Sequence, residues 1–183
     1  MTEPYVRPAR SADLDLFAAA LDDDRFFDDR WLRLRKERGV LFFAWLGPRP
    51  AGSVYLWLVK AEEAPIQTHL PGVPLLMHLQ VHPELRRLGV GTALVEEVED
   101  HLVEHGHDRV ALAVRTDNPA AAQLYDKLGY QDWGHGTVTC YAQVTLRNGG
   151  VLEVPERCYV LVKDLAVITP AQRTTSWIGA SHR

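Results

Sequence analysis

The sequence predicts an α/β fold with a mixed, mostly antiparallel central sheet and helices on both faces. Two strand-like runs flank a Gly/Pro turn between residues 40 and 60, and a second such pair occupies 137–163, so each predicts an antiparallel hairpin. Between them, residues 75–114 alternate strand, helix and strand, which is typical of a parallel right-handed crossover. Together with helical patterns near the N-terminus, this order indicates one sheet covered on both sides.

The composition is that of one ordinary globular domain. The chain has 183 residues, of which 46% are hydrophobic and 24% are charged. This length allows a sizeable core but is small for two domains. We expect the domain to span residues 1–164 and residues 165–183, which lack periodicity, to form a tail.

Several locations and partners are not expected. The longest apolar run, Val40–Leu46, is far shorter than the roughly 20 residues of a membrane helix, and the N-terminus lacks a signal-peptide pattern. A net charge of −4 does not indicate a broad nucleic-acid-binding face. Two cysteines are too few for a disulfide framework, and no stretch has metal-ligand spacing. We therefore expect a reduced, cytoplasmic protein that binds neither membrane nor nucleic acid and holds no metal.

The N-terminal elements are a strand and two helices. Residues 5–7 predict a short strand. Ser11 can cap a helix that ends near residue 21, because its hydroxyl can accept from the first N–H groups. A second helix is predicted over 25–38, where apolar residues recur at spacings of four and three.

A hairpin and a long loop follow. Strands are predicted at 40–46 and 52–60, on either side of a Gly-Pro-Arg-Pro turn. Residues 61–74 contain three prolines and a glycine and predict an irregular loop. Loops of this length in compact domains tend to be functional.

The crossover and a short helix form the next unit. Strands are expected at 75–81 and 110–114, with an amphipathic helix over 91–105 between them. A further helix follows, with Asn118 as its N-cap and Pro119 at its first position, and Gly129 ends it.

The last hairpin is predicted to bring the two cysteines together. Strict alternation over 137–147 indicates a half-buried strand, and 151–163 returns after an Asn-Gly-Gly turn. A turn centred on Gly149 would place Cys140 opposite Cys158. A disulfide there is not expected in a reducing compartment. Pro155 predicts a bulge or interruption in the returning strand.

A phosphate-binding turn is predicted where the strand 75–81 ends. The segment Val81-His82-Pro83-Glu84-Leu85-Arg86-Arg87-Leu88-Gly89-Val90-Gly91-Thr92 leaves a strand, adds two arginines and two glycines, and begins a helix. The first N–H groups of a helix lack internal partners and lie at its positive end, and glycine lets a ligand approach the backbone. The third glycine of the dinucleotide fingerprint and the Gly-Lys-Ser/Thr ending of a nucleotide P-loop are both missing. Taken alone, the segment also fits a turn whose glycines serve packing.

A second motif makes the resemblance specific. The helix Asn118-Pro119-Ala120-Ala121-Ala122-Gln123-Leu124-Tyr125-Asp126-Lys127-Leu128-Gly129-Tyr130 follows the next strand. With the Arg86-x-x-Gly89-x-Gly91 turn and the element order, it resembles the GNAT superfamily of acetyl-coenzyme A-dependent N-acetyltransferases over residues 3–163.

The resemblance implies a coenzyme A site. The fourth strand, 75–81, would splay from the fifth at a bulge, and the pantetheine arm would enter that gap and bond to the backbone as an added strand does. The backbone N–H near Val81 would stabilise the oxyanion, and the turn would hold the diphosphate. The implied cofactor-binding residues are Leu79, Val81, Arg86, Arg87, Leu88, Gly89, Val90, Gly91, Thr92, Asn118, Ala121 and Tyr125.

Two catalytic side chains follow from the same resemblance. Tyr125 is placed like the general acid that protonates the departing thiolate. Many family members carry a glutamate early on the fourth strand, but Leu75, Leu76 and Met77 offer no carboxylate here. His78 is therefore the leading candidate for the base. The alternatives are His69, His82 and Glu84.

The implied activity is direct transfer of acetyl from acetyl-coenzyme A to an amine in a ternary complex. Cys140 and Cys158 are expected to lie away from the motifs, so no covalent nucleophile is predicted. The leading acceptor is a small-molecule primary amine. A protein or peptide amine, and a non-catalytic coenzyme A-binding module, stay open as alternatives. The last strands or the tail could also form a homodimer.

Overall fold

The structure is a computed structural model that describes residues 2–21, 38–145 and 150–166. These residues include seven strands of one sheet. The strands are β1 (Pro4–Pro8), β2 (Gly39–Leu46), β3 (Arg49–Trp57), β4 (Leu75–Val81), β5 (Arg109–Arg115), β6 (Gln131–Thr145) and β7 (Val151–Asp164). The helices of the described ranges are α1 (Leu14–Leu21), α2 (Ala64–His69), α3 (Val90–Glu104) and α4 (Pro119–Lys127). The second predicted helix, the tip of the last hairpin and nearly all of the predicted tail lie outside these ranges.

The strands form one mixed sheet in the order β1-β2-β3-β4-β5-β7-β6. Among the strands of the described ranges, only the β4–β5 pair is parallel; the other neighbours are antiparallel. This confirms the predicted fold class, including the crossover through α3. None of the helices in the described ranges is long and apolar enough to cross a bilayer.

Two apolar cores lie on opposite faces of the sheet. On one face, Val54 and Leu112 pack with Leu94 and Val98 of α3, and Tyr125 of α4 belongs to the same cluster. On the other face, the buried side chains of α1, α2 and the last hairpin meet residues of β2, β3 and β5. Burying one such aliphatic or aromatic side chain contributes roughly 1.5–3 kcal/mol. The two faces therefore carry different helices, as predicted.

β4 and β5 separate soon after they meet. They pair at only two positions, Leu75 with Ala111 and Leu76 with Leu112. On its other side, β4 contains a bulge: Val54 of β3 lies opposite both His78 and Leu79, because the register shifts between Ser53 and Tyr55. His78 adopts a left-handed conformation, φ +51°. The splay and the bulge that the resemblance implied are both present.

Two local expectations were wrong near α1 and α2. Ser11 does not cap α1; it begins a short 3₁₀ turn, and the Asp13 carboxylate accepts the Arg10 backbone N–H at 3.0 Å. The segment 61–74 is not wholly irregular, because α2 spans Ala64–His69. Its Pro65 lies in the first turn, where a proline removes no helical hydrogen bond.

The last hairpin differs from its predicted register by two residues. Cys140 pairs with Glu156, and Cys158 with Val138, so the cysteines are diagonal neighbours and both are free thiols. β6 begins at Gln131 and absorbs an irregularity between Asp132 and Thr137. β7 continues through Pro155, which pairs with Tyr141 beyond the last residue that pairs with β5. A proline is tolerated there because β7 has a partner on one side only.

Candidate active site

The turn between β4 and α3 holds its backbone in a shape suited to an anion. A 3₁₀ turn at Pro83–Leu85 is followed by Arg87 and Gly89 in left-handed conformations, φ +64° and +83°. The first helical bond of α3 runs from the Ala93 N–H to the Gly89 carbonyl, so the N–H groups before it have no partner inside the helix. These donors point from the positive end of a helix, which favours phosphate.

The two glycines of the turn have different functions. A Cβ at Gly89 would meet no atom within 4 Å, so its role is conformational. A Cβ at Gly91 would lie 3.3 Å from Leu124 Cδ2 and 3.7 Å from Val81 Cγ2. Gly91 therefore allows α3 to pack closely against α4 and β4. The packing interpretation of the motif holds for this one glycine.

The opening between β4 and β5 is a cleft of about 290 Å³. Of the residues predicted from the sequence, it brings together His78, Leu79, Asn118, Ala121 and Tyr125. The others, Val81 and Arg86 to Thr92, do not line the cleft; they belong to the end of β4 and the turn beyond it. The predicted residues thus form a cleft and an adjoining anion-binding turn.

Asn118 is held in place by its own capping bond. Its Oδ1 accepts the backbone N–H of Ala121 at 3.1 Å, which confirms the predicted N-cap. The amide nitrogen, which makes no part of this cap, is a donor that Asn118 can offer to the cleft.

Tyr125 is buried, with 5% of its surface exposed, yet it lines the cleft. Its ring packs edge-on against Tyr130, with the centroids 5.5 Å apart. Burial raises the pKa of the Tyr125 phenol well above its ordinary value near 10. The hydroxyl therefore stays protonated and acts as a hydrogen-bond donor over the whole range of working pH.

His78 is the one histidine of the predicted base candidates that lines the cleft. His69 lies elsewhere, stacked on His135 with ring centroids 3.9 Å apart. The His82 ring accepts the Glu84 N–H at 3.3 Å, and the Glu84 carboxylate binds Arg49 at 3.0 Å. These contacts tie His82 and Glu84 to the turn and away from the cleft.

Both cysteines also line the cleft, which corrects the expectation that they lie away from the motifs. The sheet order explains this, because β7 pairs directly with β5 and brings the hairpin to the edge of the opening. Burial, and then the neighbouring Cys158, raise the pKa of the Cys140 thiol well above its ordinary range. Burial also raises the pKa of Cys158. Both are neutral thiols at neutral pH, so neither is an activated nucleophile.

Sequence reasoning missed Glu63, which lines the cleft from the start of α2. The only signal was its place in the long loop expected to be functional. Glu156 and Arg115 also line the cleft and form an ion pair at 2.9 Å. Glu63 and Glu156 were absent from the predicted site because their positions depend on how α2 and β7 pack, and Arg115 was missed at the end of β5.

The cleft connects the two faces of the sheet. Asn118, Ala121 and Tyr125 come from α4, whose apolar side belongs to the core shared with α3. Ile66, Cys140 and Cys158 belong to the core on the opposite face. One ligand can therefore enter along α4. A second ligand can approach the inner end of the first from the side of α2 and the hairpin.

Known proteins share part of this sequence and its fold. The model of the Acetyltransferase (GNAT) family matches residues 7–130. An acetyltransferase of Pectobacterium atrosepticum is 38% identical over 63 residues, which cover 34% of this chain and 41% of that protein. The chain thus matches about two fifths of this curated relative's length.

Solved structures share the fold. The ribosomal-protein-S18-alanine N-acetyltransferase of Escherichia coli superposes with a TM-score of 0.63 at 19% identity, covering 92% of this chain and 97% of its own. A GNAT family acetyltransferase of Elizabethkingia anophelis with acetyl-CoA bound gives 0.59 at 16% identity, covering 90% and 100%. The family match spans more than half of the sequence, and this chain belongs to the GNAT acetyltransferase family.

Proposed function

We propose that this protein is an acyltransferase that moves acetyl from acetyl-coenzyme A directly to a small-molecule primary amine. The observation that carries the proposal is a cleft that crosses the sheet between β4 and β5 and adjoins a turn with unpaired helical N–H groups. Acetyl-coenzyme A supplies an activated thioester. The residues of this chain supply binding, orientation and proton transfer.

The fit to coenzyme A rests on the shape of the backbone. The left-handed Gly89 and the first N–H groups of α3 suit a diphosphate. Beyond Leu76 and Leu112, the facing edges of β4 and β5 no longer pair, which leaves main-chain groups to bond an extended arm. Leu79 and Val81 would hold that arm from β4, with Asn118 and Ala121 on the side of α4.

Tyr125 and His78 would carry the proton transfers. A buried, protonated phenol at the cleft can donate a hydrogen bond to the sulfur as negative charge develops there. An amine must be uncharged to attack a thioester, and His78, at the bulge of β4, would take its proton directly or through water.

The proposal of a small acceptor is supported by the residues that cover the opening of the cleft on the side of α2. The segment 61–74 folds into α2 and buries Ile66, which is 2% exposed. In the described part of the chain, α2 and the last hairpin both line this cleft, and its volume of about 290 Å³ suits a small amine better than a polypeptide. The Escherichia coli neighbour is named for a protein substrate, so peptides belong in the test.

The experiment is a panel of amines and peptides incubated with acetyl-coenzyme A, with thiol release as the readout and mass spectrometry of the products. Acetylation of small primary amines supports the proposal. Faster acetylation of peptides would replace the small acceptor by a protein one. Tight binding of coenzyme A without release of thiol from any acceptor would indicate a binding module.

A further inference from the structure

The mouth of the cleft on the side of α2 is acidic. The charged residues that the described chain places on the cleft lining are Glu63, Arg115 and Glu156, with His78 beside them. Arg115 is already paired with Glu156 at 2.9 Å and with Asp117 at 2.6 Å. The single positive charge of Arg115 therefore already faces two carboxylates, and Glu63 is a further carboxylate on this cleft.

The Glu63 carboxylate has no cationic partner among the described residues. It stands at the N-cap of α2, yet its side chain makes no capping bond. Within residues 2–21, 38–145 and 150–166, no lysine, arginine or histidine forms an ion pair with it. A half-buried carboxylate without a cation is costly to desolvate unless a ligand supplies the charge.

The nearest polar neighbours do not neutralise Glu63. The Cys140 thiol lies beside it, and after burial and Cys158 the Glu63 charge raises the pKa of that thiol further. Cys140 is therefore a neutral neighbour that can give a weak S–H hydrogen bond. The net negative charge at this mouth stays on Glu63.

We infer that Glu63 binds a positive charge on the acceptor, so that the substrates of this site are cationic alkylamines. This rests on the proposed function, because it concerns the second ligand of the same cleft. Ile66 and the two thiols give the surroundings of Glu63 an apolar character, which strengthens its attraction for an ammonium group. A diamine fits best, because one ammonium can stay at Glu63 while the other amine loses its proton and attacks.

The test compares acceptors that differ in charge. Putrescine is a dication at pH 7.5, whereas 4-methylaniline is a primary amine that is uncharged there. Steady-state kinetics are measured for both with the wild-type protein and with Glu63→Gln, Glu63→Asp and Glu62→Gln. Glu62 is exposed and does not line the cleft, so Glu62→Gln controls for a general change of surface charge.

The expected result is a change in KM confined to the cationic acceptor. A hydrogen bond to a charged group is worth enough to change binding about tenfold or more. Glu63→Gln should raise KM for putrescine by about that factor, leave KM for 4-methylaniline and the Kd of acetyl-coenzyme A unchanged, and alter kcat by less than about threefold. Glu63→Asp should recover part of the loss, and Glu62→Gln should match the wild type.

Two results would overturn the inference. Equal KM values for putrescine in the wild type and Glu63→Gln would show that Glu63 is only a solvated side chain. A wild-type protein that acetylates 4-methylaniline but not putrescine would show that the site rejects the cation. Failure of both acceptors and of every other amine in the panel would instead remove the proposed function, and this inference with it.

Discussion

Replacing Tyr125 by Phe tests the proposed proton donor with the smallest change in packing. The substitution removes one hydroxyl and keeps the ring, which packs against Tyr130 with its centroid 5.5 Å away. A hydrogen bond to a charged group contributes about 1.5–3 kcal/mol, and 1.4 kcal/mol is a factor of ten. We expect kcat to fall roughly 10- to 150-fold, while the free energy of unfolding changes by less than about 1 kcal/mol.

The assay is thiol release at saturating acetyl-coenzyme A, with the Kd for coenzyme A measured by calorimetry. Burial raises the pKa of Tyr125 above its ordinary value. Deprotonation of this phenol should therefore not lower kcat of the wild type up to about pH 10. Tyr130→Phe is the matched control, since Tyr130 is equally buried and does not line the cleft. Full turnover by Tyr125→Phe, or an equal loss in Tyr130→Phe, would refute the assignment.

Three further variants test the turn, the base and an N-terminal ion pair. Gly89→Ala should lose about 1–2 kcal/mol of stability and bind acetyl-coenzyme A more weakly, because φ is +83° at this position. The added Cβ meets no atom, so the loss would come from the backbone conformation alone. Unchanged unfolding and binding would contradict this. His78→Gln should lower kcat/KM at neutral pH and approach the wild type as rising pH deprotonates the amine, whereas parallel pH profiles would exclude a base at this position. Arg7 hydrogen-bonds Asp13 and lowers the pKa of that carboxyl, so Asp13→Asn should cost about 1 kcal/mol at pH 7 in urea unfolding. That cost should be fully present above the ordinary aspartate pKa of about 3.9 and should shrink as pH falls through the lowered pKa of Asp13 in the folded state. A cost that stays the same across this acid range would contradict the ion pair.

The parts of the site that a local pattern encodes could be predicted from the sequence. The Asn118 cap depends on residues three positions apart, and the glycines of the turn mark a backbone that a ligand can approach. The strand, turn and helix from β4 to α3 follow from hydrophobic periodicity. These elements are held by interactions between near neighbours, so their sequence signals are strong.

The α2 side of the cleft depends on contacts that no local pattern records. From the sequence alone, Pro65 suggests a loop, but in the first turn of α2 a proline is compatible with a helix. The alternation in the last hairpin is the same for registers that differ by two residues, so Cys140 opposite Glu156 could not be distinguished from Cys140 opposite Cys158. The insertion of β7 beside β5, which brings both cysteines to the cleft, is a choice of sheet topology.

A crystal structure of the complex with acetyl-coenzyme A would show whether the turn between β4 and α3 holds the diphosphate. Backbone N–H groups between Arg86 and Thr92 should lie within about 2.7–3.2 Å of diphosphate oxygens. The pantetheine arm should bond to β4 beyond Leu76 and end beside Tyr125. A diphosphate bound elsewhere, with this turn closed by its own side chains, would contradict this.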